Sequence, residues 1–243
     1  MLRTDTPKFR ERLSWHAPGL GVPIVAGLIC FLWALAGLLT VIPNQDILAD
    51  GIQAQSILSD PRIVLSFPGQ RHGGPLEYPF TLLAEWLFPG NYFANAAIRP
   101  LLAFATGFVV AILFRALFPK APSWALVAAM ATGPTIIHGL LGPEGNPVGV
   151  WWLQPNWDVA WLLVSSGALV LSKSRLLPPM GMFLGGLLVG LGLFAHPAIV
   201  LLIFPLMVLV WLQTLPRISQ AAFAIVGAGV GVIPAAISYV VNA

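Results

Sequence analysis

Residues 20–42 read LGVPIVAGLICFLWALAGLLTVI, a run of 23 residues with no charge. A helix rises about 1.5 Å per residue, so this run covers the roughly 30 Å hydrocarbon layer of a bilayer with some tilt. A basic segment bearing Arg3, Lys8, Arg10 and Arg12 precedes it, and Pro43-Asn44-Gln45-Asp46 follows. A cleaved signal peptide has a shorter apolar core and a small-residue cleavage site. The run is therefore expected to stay in the protein as a signal-anchor.

The rest of the chain has the same character. Of 243 residues, 58% are apolar and 9% charged, and the mean hydropathy is +0.86. A soluble domain carries about 25% charged residues, so composition excludes a water-soluble globular protein and a disordered one. Further apolar runs lie at 100–118, 122–141, 157–172, 179–195, 197–215 and 218–241. The expected fold is an all-α membrane protein of about seven transmembrane helices, with residues 1–243 forming one membrane domain. Residues 1–19 form a cytoplasmic basic segment, 20–42 the first span, 43–99 a long outer loop with short surface helices, and 100–243 six further spans.

Details of the runs agree. Trp151, Trp152 and Trp157 flank the weakest one, at the level of an interfacial aromatic belt. Ala195-His196-Pro197 joins two runs so closely that a tight hairpin is required. Gly186/Gly190 and Gly227/Gly231 have the small-xxx-small spacing that lets helices approach closely. Pro205 and Pro234 fall inside runs, where neighbouring helices must satisfy the freed carbonyls.

The cations test the topology. Besides the four before the first run, Arg115 and Lys120, Lys173 and Arg175, and Arg217 occupy alternate connections, whereas Arg62, Arg71 and Arg99 fall in or at the end of the 43–99 connection. The positive-inside rule then puts the amino terminus in the cytoplasm and the carboxyl terminus outside. The pI is about 9.4, but the net charge is only +3 and its carriers sit beside apolar segments. They set orientation, and no nucleic-acid partner is expected. Cys30 is the single cysteine and lies inside an apolar run, which leaves no disulfide framework and no thiolate metal site.

The carboxylates sort the other way. Asp46, Asp50, Asp60, Glu77, Glu85, Glu144 and Asp158 fall on the outer side, against Asp5 and Glu11 inside. His72, His138 and His196 sit at or near outer ends. Any single polar residue at a water-facing end is unremarkable, but this asymmetry puts the chemistry outside. The span interiors lack the midplane ionisable residues expected of transporters and pumps.

The 43–99 connection, 57 residues long, far exceeds an ordinary loop. Ile47, Leu48, Ile52 and Leu58 have near-helical spacing, broken by Gln55, and Leu76, Phe80, Leu83, Leu87 and Phe88 repeat it more cleanly. Each set predicts a short amphipathic helix on the membrane surface. Between them runs Phe67-Pro68-Gly69-Gln70-Arg71-His72-Gly73-Gly74-Pro75-Leu76-Glu77-Tyr78-Pro79, whose glycines and prolines impose a specific turn path. Gln70, Arg71, His72 and Glu77 present an amide, a guanidinium, an imidazole and a carboxylate within eight residues. Arg71 could hold a phosphate through a bidentate fork. His72 and Glu77 could bond hydroxyls or move protons. Asp46, four positions beyond the first run, could act as a general base at the membrane surface. Equally, Asp46 and Asp50 could cap the first surface helix, where carboxylates meet the positive end of the helix dipole.

Asp46, Gly51, Ala54, Ile57-Leu58, Gly69-Gln70, Gly73-Gly74, Leu76-Glu77 and Ala97-Ile98-Arg99 form a pattern that resembles integral-membrane glycosyltransferases of the GT-C fold. The likeness is to the bacterial, dolichyl-phosphate-mannose-transferase-like branch, and it reappears at Gly190-Leu191-Gly192-Leu193-Phe194-Ala195-His196-Pro197 and Pro205. The resemblance implies a seven-helix module in the bacterial inner membrane, active side outward. It also implies transfer of a sugar from a polyprenyl-phosphate-linked donor to an acceptor on the outer face. By position, Asp46 matches the family's catalytic loop Asp, with Asp50 as reserve. Gln70, Arg71, His72, Glu77, Arg99 and His196 are the expected substrate-binding residues, with Arg71 or Arg99 on the phosphate. Relatives often have Asp-Glu where Asp46 is followed by Ile47, and they continue through further spans beyond the seventh. The chain is thus expected to be the family's core module alone, a fragment of a longer enzyme, or one component of a larger assembly. The alternative is a non-catalytic GT-C-like membrane subunit that binds a partner protein or lipid. No cofactor is expected; carboxylates and water suit a divalent metal such as magnesium, but no clustered ligand spacing argues for one.

Overall fold

The computed structural model describes residues 19–40, 52, 55, 76, 78–89, 91, 97–131, 155–173, 178–196, 199–214 and 216–241. Among these the regular structure is entirely helical. In chain order the helices are α1 (Gly21–Thr40), α2 (Tyr78–Leu87), α3 (Arg99–Leu117), α4 (residues 123–131), α5 (Pro155–Leu171), α6 (Pro179–Ala195), α7 (Val200–Thr214) and α8 (Ile218–Val241). All but α2 fall on the seven apolar runs, and α2 falls on the second amphipathic pattern of the 43–99 connection. Of the residues expected to form the first surface helix, only Ile52 and Gln55 are described, and both are helical.

Local chemistry explains the helix ends. Pro100 and Pro179 open α3 and α6, where a missing N–H costs nothing and φ is already set. At α8 the Arg217 backbone N–H donates to Gln220 Oε1 at 3.0 Å, the back-reaching half of a capping box. In the last turns of α5 and α7, Ser172 Oγ donates to Leu169 O at 2.7 Å and Thr214 Oγ1 to Val210 O at 2.8 Å. Pro205 and Pro234 lie inside α7 and α8 as expected. Where α6 gives way to α7 the Ile199 N–H donates to His196 O at 3.1 Å.

Apart from α2, the helices are apolar around most of their circumference, so packing and not periodicity selects their inner faces. α1 packs on α3, α3 on α5, α5 on α6, and α6 on α8, while α7 touches α5 more lightly. Alanine and glycine line the seams: Ala26, Ala111, Ala160, Ala168 and Ala195 are buried. The closest approach is between α6 and α8. A Cβ on Gly186 would overlap the Ala224 carbonyl, one on Gly190 the Ala228 carbonyl, and one on Gly227 the Phe183 carbonyl. On Gly231 it would stand 2.6 Å from Leu187 O. The two glycine pairs read from the sequence therefore form one interface, each facing backbone.

The same approaches give the relative directions of neighbours. Gly186 meets Ala224 and Gly190 meets Ala228, so α6 and α8 run parallel. Gly192 meets Ala160 and Val164 whereas Gly185 meets Val170 and Leu171, so α5 and α6 are antiparallel. Gly107 of α3 meets Ala26 and Cys30 of α1, and the cluster of Ala26 with Ala111 gathers Val22 and Phe114. α1 and α3 are thus antiparallel. The main core joins Leu102, Leu113 and Leu117 of α3 to Val159, Val164, Met182, Val189, Ile199, Ile203 and Val210.

Outside this core the large side chains are also apolar. Leu28 and Leu32 of α1, Phe204 and Leu212 of α7, and Phe223, Ile225, Val226, Val230 and Ile233 of α8 are all exposed. α3 and the Ile218–Ile237 part of α8 are long and apolar enough to cross a membrane.

Candidate functional site

Polar burial in an otherwise apolar bundle marks the candidate site. Arg99, the first residue of α3, is 2% exposed, and its Nε lies 3.1 Å from Oδ2 of Asp158 in the first turn of α5. Thr106, two turns further along α3, donates from Oγ1 to the Asp158 carbonyl at 3.3 Å. The pair pins the starts of two helices whose sequence positions are far apart. A charge inside a low-dielectric interior is tolerated when an opposite charge and further hydrogen bonds accompany it. The Arg99 guanidinium, expected to take a phosphate, already has a carboxylate against it.

His196 caps α6 in an extended conformation, and its backbone N–H donates to Gly192 O at 3.1 Å. Because α5 and α6 are antiparallel, this end of α6 adjoins the end of α5 that carries Asp158. Arg99, Asp158 and His196 therefore share one end of the bundle. The last turn of α1 and the first turn of α3 lie at that end too.

α2 lies in the connection between α1 and α3, and its orientation sharpens the amphipathic reading. Its inner face carries Tyr78, Thr81, Ala84 and Glu85, all buried, while Leu83, Trp86, Leu87 and the following Phe88 are exposed. The apolar stripe at 83, 87 and 88 faces away from the protein, and a polar stripe at i, i+3 and i+7 faces in. Leu76 and Phe80, counted with the apolar stripe in the sequence, instead pack against the main core. Glu85 is 1% exposed, and Gln55 Nε2 donates to its Oε2 at 2.9 Å. This bond ties the first half of the connection between α1 and α3 to the second.

Asp46, Asp50, Gln70, Arg71, His72 and Glu77 lie outside the described residues. Two of the expected site residues, Arg99 and His196, are therefore located. Sequence reasoning counted Asp158 and Glu85 only among the outer-side carboxylates. Glu85 had a local signal: with Tyr78 and Thr81 it forms a polar stripe opposite Leu83 and Leu87. Among the described residues no group of three or more His, Cys, Asp or Glu could hold a metal ion. No family model, curated protein or solved structure matches the chain.

Proposed function

We propose that the chain is an integral membrane protein of seven crossings, amino terminus cytoplasmic, that transfers a sugar from a polyprenyl-phosphate donor to an acceptor on the outer face. The observation that carries this reading is the buried Arg99–Asp158 pair, with His196, at a single end of an apolar bundle. Arg99 and Asp158 are buried there and the half-buried His196 shares that end, while α2, between α1 and α3 in the chain, buries Tyr78, Thr81 and Glu85 on its inner face. A lipid-linked substrate needs such a junction, where its chain stays in hydrocarbon and its headgroup meets hydrogen-bonding groups.

Helix directions support the crossings. Successive passage of α1 and α3 to α8 through a bilayer makes α1 antiparallel to α3, α5 antiparallel to α6, and α6 parallel to α8, as observed. The outward apolar side chains of α1, α7 and α8 suit lipid contact. On this topology Arg115, Lys120, Lys173 and Arg217 face the cytoplasm and the polar end faces outward. The residence is the bacterial inner membrane.

In the proposed reaction an acceptor hydroxyl attacks the sugar's anomeric carbon while Asp46 takes its proton, and the carrier phosphate leaves. Arg71 is the guanidinium best suited to the departing charge, since Arg99 is engaged by Asp158. Asp46→Asn keeps shape and removes the base. Full activity of that variant in a transfer assay with reconstituted protein would overturn the mechanism; loss of 100-fold or more is expected, on the order of a general-base contribution. The non-catalytic reading, a membrane subunit that binds a partner, is favoured by the same Arg99–Asp158 pairing, which occupies one expected phosphate ligand. It predicts co-purification with a second membrane protein and no transfer by either form.

A further inference from the structure

A groove opens at the end of the bundle opposite Arg99 and Asp158, where α5 and α7 finish and α6 and α8 begin. Leu171 of α5, Met182 of α6, Trp211 of α7 and Ile225 of α8 help to line it, and it encloses about 660 Å³, counting the part open to the surroundings. Ligand clefts run to roughly 300–1,000 Å³, so the space is of ligand size. The lining extends from Met182 to Val189 on α6, from Met207 to Thr214 on α7 and from Ala221 to Ala228 on α8. At about 1.5 Å per residue each stretch is about 10 Å long, against about 15 Å for half of the hydrocarbon layer. The groove therefore follows the helices through most of one leaflet.

Its chemistry narrows the occupant. Thr214, the lining hydroxyl among the described residues, donates to Val210 O at 2.8 Å. A polar group brought inside would lose its water without gaining a partner, so the part of a ligand that enters is hydrocarbon. Charge sits at the mouth instead. Leu171 and Pro216 line the groove, Lys173 stands two residues after the first, and Arg217 directly follows the second. Both cations are exposed, and neither has an ion pair among the described residues, whose carboxylates are Glu85 and Asp158. An apolar slot with two positive charges at its rim complements a hydrocarbon chain bearing a negative headgroup. A zwitterionic lipid brings a cation to that rim, and an apolar helix brings no charge.

We propose that this groove holds one acyl chain of an anionic glycerophospholipid of the cytoplasmic leaflet, with the lipid phosphate drawn to Lys173 and Arg217. The site lies at the other end of the bundle from the one assigned to the sugar donor. It rests on the crossing topology proposed above and not on sugar transfer.

The test places the full chain in phosphatidylcholine vesicles that hold a minor fraction of phosphatidylglycerol or phosphatidylcholine with brominated acyl chains, which quench tryptophan on contact. Trp211, 48% exposed on the groove wall, is read as the difference between wild type and Trp211→Phe. Brominated phosphatidylglycerol should quench Trp211 with an apparent affinity about 25-fold higher than brominated phosphatidylcholine, about fivefold for each cation. Lys173→Gln combined with Arg217→Gln should abolish that preference, whereas Lys120→Gln, an exposed cation beyond α3, should keep it. Phosphatidylglycerol carried through detergent purification and weighed with the intact protein gives the same comparison without Trp211→Phe. Equal quenching by the two lipids, a preference untouched by the double variant, or one lost in Lys120→Gln as well would overturn the lipid assignment and leave the transferase reading standing. So would quenching of the other tryptophans with Trp211 spared, the mark of a protein partner or a second copy in the groove. Absence of quenching at every tryptophan would overturn the membrane crossings along with the lipid site.

Discussion

Arg99 and Asp158 illustrate how a residue's role changes once its neighbours are known. In sequence Arg99 ends a loop rich in polar groups and invites a phosphate; in space its Nε faces Asp158 at 3.1 Å, behind a surface that leaves it 2% exposed. Nothing local could reveal this, since the partners sit on different helices and pairing depends on α3 lying beside α5. Breaking one side of a buried pair leaves an uncompensated charge and costs about 3–5 kcal/mol, whereas replacing both with apolar groups costs far less. Asp158→Leu and Arg99→Met should each lower stability by on the order of 3 kcal/mol, read by reversible denaturant unfolding in micelles. The double variant should recover most of that loss. Strict additivity of the two losses would show that the pair is not a structural unit. Glu85 was half legible: its helical register with Tyr78 and Thr81 is visible in the sequence, but its burial and the Gln55 bond depend on how the loop folds back.

The α6–α8 seam shows what single elements can carry. Its spacing of glycines was readable in advance because a four-residue repeat puts small residues on one helix face whatever the partner. Which helices met, and that they run parallel, was not. A Cβ on Gly227 would strike the Phe183 carbonyl, while one on Gly229, two residues away, would meet nothing within 4 Å. Gly227→Ala should therefore destabilise the protein by about 1–3 kcal/mol through overpacking against backbone that cannot rotate aside. Gly229→Ala should be neutral or stabilising by up to about 1 kcal/mol, because alanine is the better helix former. The unfolding midpoints of the two variants should move in opposite directions or only the first should move. A similar fall for both would mean that helix propensity and not the close approach governs this seam.

At the scale of the whole molecule the proposed topology can be read chemically. With Cys30 replaced by Ala, a cysteine at Lys173 should react with a membrane-impermeant maleimide only in inside-out vesicles, and one at Asn91 only in right-side-out vesicles. Labelling of both from the same side would remove the seven-crossing arrangement. Composition, run length and charge placement by themselves determined that the apolar runs are helices, where those helices lie among the described residues, and the expected orientation. These follow from the transfer of apolar residues out of water and from the backbone's need to bond internally, both of which act locally along the chain. Only the tertiary structure decided that the glycine pairs face each other across α6 and α8, that α2 turns Glu85 inward, and that Arg99 is held by Asp158. Contacts between remote segments depend on which helices become neighbours, and uniformly apolar helices have no periodic stripe from which to choose them.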